Sequence, residues 1–255
     1  MSEMDMSPLI LPELILFFVL GTVFGSFGNV LIFRLPKGET IFGRSHCTSC
    51  NKTLRAWQLI PIVSFVLLRA KCASCKKPIS WQYPLVEIAC GSLFAAAFTF
   101  THFQYVHAAV LSLVLWLLFT IAIIDARTMR IPDALNFPLV LLSAVYAVLM
   151  GQINWLALVI GLGFFGLQWV LSNGAWVGSG DIILVASMAL ILGSWEKMIV
   201  GIFLAYIIGS AVAALFLLTG NKSRKDVLAF APFLVASTIA TLLYGDIILF
   251  ILYGG

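Results

Sequence analysis

The chain has 255 residues, of which 62% are hydrophobic and only 10% charged, against roughly 45–50% and 25% in an ordinary soluble domain. A soluble fold of this length has no interior large enough for so much apolar surface, so the composition excludes a conventional soluble enzyme and points to lipid as the solvent. The formal net charge of +4 does not indicate nucleic acid, because no basic stripe with interleaved aromatics lies outside a single loop.

In chain order, the first apolar stretch long enough to cross a bilayer covers residues 9–33, interrupted only by Glu13 and several glycines. Glu3 and Asp5 stand where a cleaved signal peptide would carry positive charge, which argues against one. Nearly all the charge-dense sequence follows, between Arg34 and Lys77, and reads as one small loop domain. Further spans are expected at 84–100, 108–124, 134–150, 155–171, 182–192, 198–219 and 231–252, the sixth being the shortest. The expectation is an all-α integral membrane protein of about eight transmembrane helices. Its parts are a first helix (1–33), a cytoplasmic loop (34–83) and a multi-helix membrane region (84–255).

Lys and Arg collect on the cytoplasmic side of membrane proteins. With the loop inside, that side gathers Arg34, Lys37, Arg44, Lys52, Arg55, Arg69, Lys71, Lys76 and Lys77. It also gains Arg127, Arg130, Lys222, Arg224 and Lys225, leaving only Lys197 outside. Both termini then lie outside. Asp125, ending the third span, and Asp181, starting the sixth, both fall at the cytoplasmic boundary.

Cys47-Thr-Ser-Cys50 and Cys72-Ala-Ser-Cys75 have nearly the spacing of a four-thiolate zinc site. Disulfides are the alternative, but the loop's side of the membrane is reducing. Four protein thiolates leave no open position, so a structural zinc is expected rather than a catalytic one. His46, beside the cluster, reads as a loop residue or an occasional ligand. Cys90, within an apolar segment, reads as a small buried packing residue.

Ionisable groups near the hydrocarbon need a reason. Asp133 follows Pro132 and reads as the N-cap of the next helix. Asp125 ends a helix, where the macrodipole disfavours a carboxylate, so its position suggests another use. Asp181 closes Gly178-Ser-Gly-Asp181, whose glycines allow close backbone approach; its bland alternative is a helix cap. Two carboxylates at one membrane depth can share a proton and activate water between them. No GxSxG and no phosphate-binding glycine loop is present, and His102 and His107 read as interfacial residues.

Taken in order, the motifs GSFGNVLIFRLP (25–36), the two CxxC pairs, ISWQYPLVE (79–87), DARTMRIPD (125–133), GSGD (178–181) and FAPFL (230–234) resemble a known family. It is that of the bacterial type IV prepilin leader peptidase/N-methyltransferases, bifunctional GxGD-type membrane aspartic peptidases. The resemblance implies that Asp125 and Asp181 form the peptidase pair, and that the zinc loop belongs to the region used with S-adenosylmethionine. Asn29, Arg34 and Glu87, polar members of the matching motifs, are the candidates for holding the methyl donor. The implied partners are type IV prepilin or pseudopilin precursors, cut after a glycine that ends a short basic leader and methylated on the new N-terminal residue, often Phe. The implied location is the bacterial inner membrane, in contact with lipid and not with nucleic acid. The family usually has Lys two residues after the second Asp, where this chain has Ile183. Gly28 stands where Leu is common, and Gln82 where Arg is common. A transporter using intramembrane carboxylates is the competing reading, but no paired inverted halves are visible. A zinc-loop scaffold or sensor without catalysis is a third.

Overall fold

The computed structural model describes residues 10–219 and 228–254; the expectations about Glu3, Asp5, Lys222, Arg224 and Lys225 lie outside them. The described helices are α1 (Ile10–Arg34), α2 (Val63–Leu67), α3 (Gln82–Phe100), α4 (Tyr105–Thr128), α5 (Asp133–Leu149), α6 (Trp155–Ser172), α7 (Ser179–Leu192), α8 (Trp195–Leu218) and α9 (Ala231–Tyr253). Short 3-10 turns occur at Leu35–Lys37 and Ala56–Leu59. Among the described residues there is no named strand, only two isolated bridges.

Among the described residues, each of the eight expected apolar segments is helical over nearly its whole length. Six of these helices, α1, α3, α4, α6, α8 and α9, are long and apolar enough to cross a membrane. The chain is thus a multi-pass membrane protein. α5 and α7 have 17 and 14 residues, and 14 residues rise about 21 Å against a hydrocarbon core of about 30 Å. The expected span count of eight is therefore met by length for six, and α7 is short because the GSGD turn starts it and Gly193, in the left-handed conformation, ends it.

The chain forms two compact units, Met1–Ser112 and Leu113–Gly255. In the first, α1 and α3 run antiparallel in close contact. A Cβ on Gly21 would lie 2.5 Å from the Cys90 carbonyl oxygen and 2.8 Å from the Gly91 Cα, and one on Gly25 would lie 2.7 Å from the Glu87 Cα. Gly21 and Gly25 make a GxxxG face that lets two backbones meet, which is how helices associate where lipid removes the hydrophobic drive. In the second unit α7 packs against α5, α6, α8 and α9. Eight of its residues are buried, Asp181 among them.

Candidate active site and metal centre

α4 continues one turn beyond the expected end of its span, so Asp125 lies inside the last turn of the helix. The residue is 5% exposed, and its Oδ2 accepts a hydrogen bond from the Ala231 N–H at 3.1 Å. That N–H belongs to the first residue of α9, so the positive end of another helix compensates the unfavourable end of its own. The FAPFL motif thus has a local job: it starts α9 where Asp125 needs a donor.

Asp181 is the third residue of α7 and 9% exposed. Its Oδ2 accepts from the Gly178 N–H at 3.1 Å, while Oδ1 is buried without a hydrogen-bond partner. This partly fulfils the cap expected as the bland alternative. The carboxylate also feels the negative charge of Asp125, so the fold brings the two together electrostatically. Neither Gly178 nor Gly180 has a positive φ. What Gly180 provides is room, since a Cβ there would lie 2.9 Å from the Ile131 Cβ.

Asp133 is not the N-cap expected for it. Pro132 occupies that position with extended backbone, and Asp133 is the first helical residue, with no side-chain cap bond. Its charge still suits the helix start. One residue of this segment escaped sequence reasoning: Asn136, fully buried on α5. Its Nδ2 donates to the Gly180 carbonyl at 2.9 Å, holding the peptide that precedes Asp181, and its Oδ1 is buried without a partner. Only a buried amide in an otherwise apolar helix signals it in the sequence.

Aromatic rings gather beside this site. Phe230 lies 5.2 Å from Tyr206 and 6.0 Å from Phe165, centroid to centroid. The Tyr206 hydroxyl pairs with Gln168 Oε1 at 2.9 Å.

In the first unit the four expected cysteines converge. Their sulfurs all lie within 4.8 Å of one another, and Cys47 Sγ is 3.9 Å from Cys75 Sγ. The two CxxC segments fold identically, a repeat at an offset of 25 residues that sequence reading missed. Cys47 N–H donates to the Lys52 carbonyl and Cys72 N–H to that of Lys77. Asn51 and Lys76 both adopt positive φ, 55° and 58°, and the bridges His46 to Thr53 and Lys71 to Pro78 close each knuckle. His46 is exposed and outside the sulfur cluster. Amides of Cys75 and Ser74 hold the Cys72 thiol down at about 6. Cys75, with the Lys77 amide opposing, is pushed up to about 11 by burial and by the other sulfurs.

The three methyl-donor candidates have partners inside the first unit. Asn29 Nδ2 donates to the Tyr83 carbonyl at 3.2 Å, and its Oδ1 is buried and unpartnered. Arg34 sends its guanidinium to the carbonyls of Thr40, Ile41 and Arg44, folding the start of the loop back on the end of α1. Glu87 Oε2 accepts from the Ile62 N–H at 2.7 Å. Ile62 has φ 61° and ψ −51°, a strained conformation for a β-branched residue.

Residues 19–101 match the model of the bacterial peptidase A24 N-terminal domain, and residues 112–214 that of the type IV leader peptidase family. The chain is 32% identical to the prepilin leader peptidase/N-methyltransferase of Neisseria gonorrhoeae, covering 93% of this chain and 92% of that protein. It is 33% identical to the one from Bacillus subtilis over 91% and 94%, and 30% identical to the one from Stutzerimonas stutzeri over 89% of each. No solved structure matches. With both family models matched and relatives 30–33% identical over about nine-tenths of its length, this multi-pass membrane chain is an enzyme, and it belongs to the bacterial prepilin leader peptidase/N-methyltransferase family.

Proposed function

We propose that the protein is an intramembrane aspartic endopeptidase that removes the short basic leader of type IV prepilin-like precursors after a glycine, then methylates the new N-terminus. The observation that carries the peptidase reading is the pair of buried carboxylates. Each is anchored through Oδ2 by one backbone N–H from a helix start, and Asp181 lies within electrostatic reach of Asp125. In such a pair one carboxylic acid hydrogen-bonds the scissile carbonyl while the other carboxylate takes a proton from the attacking water. The tetrahedral intermediate then collapses as the leaving amine receives a proton, which restores the shared-proton state. The Phe230 and Tyr206 rings, backed by the buried Phe165, give an apolar surface for the residue after the cut. A transporter would not need this two-carboxylate geometry and is not favoured by the relatives.

Residues 34–83 are assigned the zinc-bound, methyl-transfer role and the later helices the peptidase role. Tetrahedral Zn–S bonds of about 2.3 Å place sulfurs about 3.8 Å apart, so Cys47, Cys50, Cys72 and Cys75 fit a structural zinc. S-adenosylmethionine supplies an electrophilic methyl group when bound. The unpartnered Asn29 Oδ1 and the Glu87 carboxylate are acceptors suited to its cationic groups, and Arg34 shapes the loop around them. The charge pattern supports a cytoplasmic orientation for this loop and for both aspartates in the inner membrane, with α5 and α7 counted among eight spans.

The test is incubation of purified protein with a prepilin and S-adenosylmethionine, followed by mass spectrometry of the product. A mature N-terminus carrying one added methyl supports the reading; an uncut precursor with properly inserted enzyme overturns it.

A further inference from the structure

The loop between α1 and α3 exposes more apolar surface than a solvent-facing metal module needs. Trp57 and Ile60 are 43% and 47% exposed, Val66 and Leu67 on α2 are 66% and 68%, and Trp81 is 67%. These residues belong to one neighbourhood. The Trp81 ring packs 5.0 Å from that of Phe65 on α2, and α2 packs on the 3-10 turn that carries Trp57. Backbone bonds from Ala70 N–H to the Phe65 carbonyl and from Ile79 N–H to the Ala70 carbonyl close the segment between them.

Around this neighbourhood stand Arg55, Arg69 and Lys71, all exposed. Residues 34–77 contain nine basic side chains against the single acidic Glu39, which already pairs with Lys37. The loop leaves at the end of α1 and returns at the start of α3, two packed helices long enough to cross the membrane. Both tethers therefore hold it at a bilayer surface, and Trp81 sits one residue before α3. Exposed tryptophans and aliphatics flanked by uncompensated basic residues are the chemistry of an anionic membrane interface.

We infer that residues 55–81 lie on the bilayer itself. Trp57, Ile60, Val66, Leu67 and Trp81 enter the boundary between headgroups and acyl chains of the leaflet from which the loop emerges. Arg55, Arg69 and Lys71 bind the anionic phosphates of that leaflet. A second copy of the same loop would cover the apolar groups but bring like positive charge against Arg55, Arg69 and Lys71. The inference does not depend on which reaction the enzyme performs.

The test compares the full-length protein in nanodiscs of phosphatidylcholine alone and with about 30% phosphatidylglycerol, by hydrogen–deuterium exchange of peptides covering 55–69. The anionic discs should slow exchange there by about tenfold or more, and raised salt should reverse much of that difference. Val66→Asp with Leu67→Asp, at positions too exposed to disturb the core, should abolish the protection while exchange in α3 stays unchanged. Equal exchange in both lipids, or protection insensitive to the double substitution, overturns the inference. Protection that appears only with added prepilin, or only when two chains share a disc, overturns it in favour of the substrate or a second copy.

Discussion

Asp125 and Asp181 each keep one carboxylate oxygen on a backbone N–H, and this allows their chemistry to be separated from their structural part. In Asp125→Asn or Asp181→Asn the amide oxygen can still accept from Ala231 or Gly178, so the helix starts stay anchored while proton exchange is lost. Cleavage should fall by on the order of 10³ or more in each, with normal insertion and thermal stability. Normal cleavage in either variant would refute the assignment. Asp133→Asn, at an exposed first-turn position, should change stability by less than about 1 kcal/mol and leave cleavage intact. Asn136→Ala tests positioning. Losing the 2.9 Å bond to the Gly180 carbonyl frees the peptide before Asp181, which should lower kcat about tenfold or more while KM changes little. A loss confined to KM would show that Asn136 meets the substrate instead.

Helices were legible from apolar runs because in lipid every backbone group must be satisfied within its own segment. Their partners were not, because those depend on which small residues face each other across the fold. Gly21 and Gly25 illustrate the gap: the GxxxG spacing was in the sequence, but its meaning required Cys90 and Gly91, about seventy residues away, to arrive opposite. The four-cysteine cluster was legible since its members are local pairs, whereas the duplicated knuckle was hidden by differing residues at Asn51 and Lys76. Asp125 was placed correctly near a helix end, but the compensating start of α9 is a long-range contact that no local pattern reveals. These differences predict opposite outcomes for one substitution. Gly21→Ala forces a methyl against the Cys90 and Gly91 backbones, which cannot move aside, and should cost about 2 kcal/mol or more in detergent thermal unfolding. Gly163→Ala on α6, where an added Cβ meets nothing within 4 Å, should be neutral or stabilising by up to about 1 kcal/mol. Equal destabilisation by both would mean that α1 and α3 do not pack through this face.

The chain separates its two proposed chemistries into different compact units. Cys47, Cys50, Cys72 and Cys75, with Asn29, Arg34 and Glu87, belong to the first unit; Asp125 and Asp181, with the α9 start and Asn136 that position them, belong to the second. A structural zinc contributes on the order of 10 kcal/mol to a small module of this kind, and the loop has little else to replace it, since between residues 38 and 81 its regular structure is one five-residue helix, one 3-10 turn and two isolated bridges. Cys72→Ser with Cys75→Ser should therefore release about one zinc per chain and unfold the loop, while α1 and α3 remain joined through their glycine face. Methylation should then collapse, because Arg34 is held by the loop carbonyls of Thr40, Ile41 and Arg44, and Glu87 by the Ile62 N–H. Cleavage should fall less, since no group that holds either aspartate comes from the loop; a weaker grip on the basic leader would appear as a raised KM with kcat largely kept. Elemental analysis beside both assays on the same preparation decides the matter. Full methylation without metal, or total loss of both activities in well-inserted protein, would show that the loop performs a different task from the one assigned to it.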